Sequence, residues 1–118
     1  MSFNAQGTHM AEFVEAARLD ELPVGQATVV TIANQDVALF NVDGTIYAIA
    51  NACLHQGQSL GSSPLDGCIV TCRAHGWRYN VTTGNTLHVP DYGVRTYRVK
   101  VVDGTILIAL VAPPSSTG

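Results

Sequence analysis

Apolar and polar positions alternate along much of this chain in short bursts separated by turn residues. Residues 28–32, 36–42 and 45–49 are rich in Val, Ile, Phe, Tyr and Thr and too short for helices, so each predicts a β-strand. A strand is also expected over 12–16, followed by a turn or single helical loop at Leu19-Asp20-Glu21-Leu22 before Pro23. Alternation returns over 96–102, where Tyr97, Val99 and Val101 are expected to face inward and Arg98 and Lys100 to face water. A last strand is expected over 105–111. The pentapeptide Val-Asp-Gly-Thr-Ile occurs at 42–46 and again at 102–106. Asp-Gly between apolar runs predicts a two-residue type I′ turn, with positive φ at both positions, and hence two independent hairpins.

Between about 51 and 91 the strand pattern breaks up into glycine, proline and serine punctuation, from Gly57 and Gly61 through Pro64 and Gly67 to Gly84 and Pro90. A loop-rich insert flanked by strands on both sides predicts an all-β architecture. Its base is an antiparallel β-sandwich or barrel, with a smaller loop-rich unit mounted on one end. The domain is expected to occupy 11–112. Residues 1–10, which end just before a second natural start, are expected to be a leader added for expression, and 113–118 have the composition of a disordered tail.

Composition narrows the function classes. A chain of 118 residues with 47% hydrophobic and 13% charged residues buries a real core and makes one domain. Six basic against nine acidic side chains give a formal charge of -3, which supplies no footprint for nucleic acid or an anionic membrane and favours a basic partner face. With no run of eighteen apolar residues and no basic-then-apolar start, a cytoplasmic protein without a membrane segment is expected.

The chemistry is concentrated in the insert. Cys53-Leu54-His55 is echoed, after residues 56–71, by Cys72-Arg73-Ala74-His75, so each box offers one thiolate and one imidazole. Structural zinc sites pair like ligands locally, as C-x(2-4)-C followed by H-x(3-5)-H. A mixed half suits a two-iron cluster instead, in which one iron takes both cysteines, the other both histidines, and sulfides bridge them. Outside the boxes, Cys68 reads as a buried small hydrophobe and His88 as an exposed or loop-packing histidine.

The double box, the run His75-Gly76-Trp77-Arg78-Tyr79 and Pro90 resemble the Rieske family over roughly 11–112. The resemblance implies a Rieske fold holding one 2Fe-2S cluster, with Cys53, His55, Cys72 and His75 as its ligands. Trp77 and Tyr79 would stand around them, and a loop containing Pro90 would cover the cluster. An oxidised cluster carries two positive charges that cancel the two thiolates, so the loaded protein stays near -3.

The extra cysteine that each box carries in respiratory and photosynthetic Rieske subunits is replaced here by Gln58 and Ala74, and Trp77 stands where those subunits have a serine. The resemblance is therefore to the small Rieske ferredoxins of bacterial aromatic-ring oxygenase systems. It implies an electron-transfer component and not an enzyme, carrying one electron from a flavin-containing reductase to a terminal oxygenase, either an aromatic-ring dioxygenase or a di-iron monooxygenase. Arg73 after the second cysteine is closer to the monooxygenase ferredoxins, whose dioxygenase counterparts usually have proline there. An oxygenase would need a separate catalytic iron, for which only His9 and His88 remain. The alternatives are a small Rieske subunit of a nitrite reductase and a zinc-stabilised interaction module without a redox role.

Overall fold

The structure, a computed structural model, describes residues 13–52, 59–73, 76–89 and 92–109. The leader expected over 1–10 and the tail over 113–118 lie outside the described residues. Ten strands are found among those described, and the only helical element there is a 3-10 turn at Leu19–Glu21, the short turn expected before Pro23.

The strands are β1 (Phe13–Arg18), β2 (Ala27–Ile32), β3 (Gln35–Val42), β4 (Thr45–Ala50), β5 (Leu65–Asp66), β6 (Ile69–Thr71), β7 (Arg78–Asn80), β8 (Thr96–Tyr97), β9 (Val99–Val102) and β10 (Thr105–Ala109). They form three antiparallel sheets, ordered β1-β10-β9, β2-β3-β4-β8 and β5-β6-β7. The first two make the base, and the third lies wholly within the insert.

Both Asp-Gly turns have the expected geometry. Asp43 and Gly44 have φ of 54° and 96°, Asp103 and Gly104 have 50° and 77°, and in each hairpin the flanking Val pairs directly with the flanking Thr. Asn41 locks the first of them: its Nδ2 donates to the Leu22 carbonyl at 2.8 Å while its Oδ1 accepts from the Gly44 amide at 2.8 Å, so this buried side chain is satisfied on both sides.

The β3–β4 hairpin is the middle of three layers. Val37 and Leu39 of β3, with Ile46 and Ala48 of β4, pack with Leu22, Ile106 and Ile108 in the core of the base. Ala38, Phe40 and Ile49 face the other way, into a second core with Leu60, Val70, Cys72, Tyr79, Val81 and Val94. All four residues of Val37-Ala38-Leu39-Phe40 are 0% exposed, the uninterrupted apolar run of a strand covered on both faces. The insert thus lies against a face of the four-stranded sheet, where the sequence suggested a unit mounted on one end.

Two expectations are corrected. Residues 96–102 are two strands: β8 pairs with β4, the chain crosses between sheets at Arg98, and β9 pairs with β10. Tyr97 and Val99 both pack on the base core, but Val101, on the edge strand, is 43% exposed despite lying opposite Ile106. The crossing keeps the alternation intact while changing the partner, and the edge leaves nothing to cover Val101. The insert, in turn, is more regular than its punctuation suggests, because β5, β6 and β7 are strands of two or three residues.

Candidate metal centre

Cys72 is positioned by a hairpin. β6 runs into it and β7 leaves beyond it, with Thr71 paired to Arg78, and its amide donates to the Trp77 carbonyl at 2.7 Å while its own carbonyl accepts from the Gly76 amide at 3.1 Å. Cys72 is thereby held from both sides by the residues that follow the second box. Cys72 is buried beside Tyr79, Val70 and Leu60, a setting that keeps water from a sulfur held there.

The first box is fastened by Asn51. Its side-chain Oδ1 accepts from the Gly61 amide at 2.7 Å and from the Ser59 hydroxyl at 3.2 Å, and its carbonyl accepts from the Leu60 amide at 2.8 Å. Ala52 and Ser59 form an antiparallel bridge. The described residues on either side of 53–58 in sequence are therefore held together by one buried asparagine. Gly61 lets this stretch lie on β2: a Cβ there would come within 2.9 Å of the Thr28 carbonyl and would meet Val29 as well. Nothing in the sequence singled out Asn51, since its partners lie eight and ten residues on and an asparagine near glycines reads as ordinary loop.

A hydrogen bond ties the second box to the stretch that follows the first. Arg73 Nε donates to the Ser62 carbonyl at 2.8 Å, tying the residue after Cys72 to the turn that follows the first box. Leu60 and Cys72 share one core cluster beneath that tie. Cys53, His55 and His75 lie outside the described residues, as does Pro90, which is why no three metal-binding side chains group together among the described ones. Two soft sulfurs and two imidazoles suit a mixed two-iron cluster, and the described residues fit it: they bury Cys72 and tie its neighbour Arg73 to the turn that follows the first box.

Tyr79 is fully buried in the cluster-side core, while Trp77 is half-buried, its ring 5.8 Å from that of His88 and 6.4 Å from that of Tyr92. His88 is exposed and packs on the loop as expected, with Nε2 accepting from the Arg78 amide at 3.1 Å. Cys68 is a free thiol, but only half-buried. It occupies the turn between β5 and β6, with positive φ at the preceding Gly67, and its edge packs on the cluster-side core.

The Rieske [2Fe-2S] domain model matches residues 12–98. The chain belongs to the Rieske family. Among curated relatives, this Rieske domain is similar to the ferredoxin component of a naphthalene 1,2-dioxygenase system from Pseudomonas aeruginosa, at 33% identity over 84% of this chain and 96% of that one. It is also similar to the biphenyl dioxygenase ferredoxin subunit of Pseudomonas sp. strain KKS102, at 34% identity over 81% and 90%.

Among solved structures, the ferredoxin of carbazole 1,9a-dioxygenase from Nocardioides aromaticivorans IC177 superposes with a TM-score of 0.76 at 30% identity, covering 82% of this chain and 96% of that one. A carbazole 1,9a-dioxygenase chain solved in a complex of oxygenase and ferredoxin gives 0.75 at 25% identity, over 82% and 92%. A nitrite reductase small subunit from Mycobacterium tuberculosis has a TM-score of 0.78 but 24% identity over 87% and 98%, and that likeness shows the fold alone. Among the described residues, no helix is long and apolar enough to cross a membrane.

Proposed function

We propose that this Rieske domain is a one-electron carrier of a multicomponent oxygenase system. It receives an electron from a flavin-containing reductase in the cytoplasm and passes it to the terminal oxygenase of an aromatic-hydrocarbon-degrading pathway. One 2Fe-2S cluster is held by Cys53 and Cys72 through sulfur and by His55 and His75 through imidazole nitrogen. The observation that supports this reading is the buried Cys72, whose neighbour Arg73 is bonded to the carbonyl of Ser62 in the turn that follows the first box in sequence.

Bound there, the cluster supplies reversible one-electron chemistry at a potential raised by the two neutral ligands. The chain does the rest. Leu60, Val70 and Tyr79 bury the Cys72 end, Asn51 fixes the base of the first ligand segment, and the paired amides of Cys72 and Gly76 fix the second. His88 packs on the loop through Nε2, which accepts from the Arg78 amide. The ferredoxin components of naphthalene and biphenyl dioxygenase systems support the aromatic assignment.

Purified protein is expected to be red-brown and to contain iron and acid-labile sulfide in equal amounts. Replacing Cys53, His55, Cys72 or His75 removes the visible spectrum, whereas Cys68→Ser and His88→Ala keep it. A colourless protein containing zinc, or a spectrum that survives His55→Ala and is lost in Cys68→Ser, overturns the reading. Electron delivery to a panel of terminal oxygenases then identifies the partner.

A further inference from the structure

The charge of this chain is unevenly placed. Residues 12–43 hold six acidic side chains against Arg18 alone, whereas residues 67–90 hold Arg73 and Arg78 and no acidic side chain at all. Over the whole insert, 51–91, Arg73 and Arg78 balance Asp66 and Asp91, so the net charge of -3 falls entirely on the remainder of the chain. Register then separates the signs within the insert. Thr71 pairs with Arg78 at the Cys72 end of its small sheet, while Asp66, Ile69 and Asn80 line up at the other end. Both arginines are exposed, and they bracket the second ligand segment.

The same end carries uncovered apolar surface. Leu87, Val89 and Tyr92 are 48%, 42% and 45% exposed. They are held next to Arg78 and Trp77, because the Leu87 amide donates to the Arg78 carbonyl at 3.0 Å, the Arg78 amide donates to His88, and the Tyr92 ring packs edge-on against Trp77. An apolar centre with a charged rim is the anatomy of a protein interface, and the rim's sign selects the partner.

We propose that Arg73, Arg78, Leu87, Val89 and Tyr92 form a docking surface for a protein whose electron-transfer face is apolar with an acidic rim. This rests on the carrier reading above, and it reverses the basic partner face that the net charge alone suggests. The negative charge of the remainder keeps the far side of the molecule away from such a partner, and the two arginines on an otherwise balanced insert turn this end toward it.

The test uses the reduced, cluster-loaded protein and two oxidants, each taking one electron: ferricyanide, which becomes ferrocyanide, and oxidised plastocyanin, an acidic copper protein whose copper(II) becomes copper(I). Net charge predicts repulsion of an anion and hence a rate that rises with salt. The docking surface predicts a ferricyanide rate that falls with salt. Arg78→Glu should slow ferricyanide by about three- to tenfold at low ionic strength and reverse the salt dependence.

Arg98→Glu, an identical change of net charge on the base, should leave that dependence unchanged. Leu87→Ser should slow plastocyanin and not ferricyanide. Equal effects of Arg78→Glu and Arg98→Glu, or a wild-type rate that rises with salt, overturn the proposal. Sedimentation runs alongside: salt-sensitive self-association lost in Arg78→Glu would mean that the surface takes the acidic base of a second copy, which also overturns it. A protein lacking the red-brown cluster fails the carrier reading itself, whereas a coloured protein with the wrong salt dependence fails only this inference.

Discussion

Tyr79 is buried in the same core cluster as Cys72, and we propose that its hydroxyl donates to the sulfur of Cys53. Such a bond favours the more negative, reduced state. A net hydrogen bond of about 0.5 to 1.5 kcal/mol, at about 59 mV per 1.4 kcal/mol for one electron, gives a fall of roughly 20 to 65 mV in Tyr79→Phe by voltammetry. With Trp77 in the place of a serine donor, the wild type should lie in the lower part of the roughly -150 to +300 mV Rieske range. Asn51 offers a test of a different kind, because Asn51→Ala leaves the Gly61 amide and the Ser59 hydroxyl without their acceptor inside the fold. The expected loss is about 1 to 3 kcal/mol in denaturant titration, together with faster bleaching under a chelator, and Asn51→Asp, which keeps the oxygen, should restore most of both. Loss of stability without faster bleaching would show that Asn51 serves the fold and not the ligand segment.

Short elements explain why some of the structure was legible and some was not. The ligand boxes and both Asp-Gly hairpins carry their chemistry in adjacent residues, and a local signal suffices to find them. A third hairpin turn, Ala33-Asn34, has φ of 52° and 65° and joins Ile32 to its partner Gln35, yet alanine gives no warning of a left-handed turn. That alanine is strained, so Ala33→Asn is expected to stabilise the protein by about 0.5 to 1 kcal/mol, seen as a higher denaturation midpoint. An unchanged or lower midpoint would mean that the turn is not left-handed at Ala33. The partners of Asn51, Arg73 and His88 escaped for the opposite reason: each bond closes a loop of eight to eleven residues, and no periodicity marks its ends. Strands β5 to β7 are too short to show alternation, and the Arg98 crossing hides because inward positions stay inward while the pairing partner changes.

At the scale of the whole molecule, β3 divides the protein into two cores that should respond separately. Leu39 faces the base and Phe40 the cluster side. Each truncation to alanine should cost about 2 to 5 kcal/mol, but only Phe40→Ala is expected to hasten iron release at a given stability, measured as bleaching against denaturation midpoint. Equal bleaching in both would mean that the cores are one cooperative unit.

The pairing of Phe13 with Ala109, which closes the base, has a consequence for how the protein is made. β2, β3 and β4 are neighbours in sequence and form as hairpins, and β5 to β7 do the same within the insert. β1 must wait for β10, across almost the whole chain, and long-range pairing of this kind is the slow part of folding. During synthesis the two ligand boxes leave the ribosome well before β10 does. The small sheet that leads into Cys72 can therefore form while the base is still open, and pairing of the last strand is the event that closes the domain.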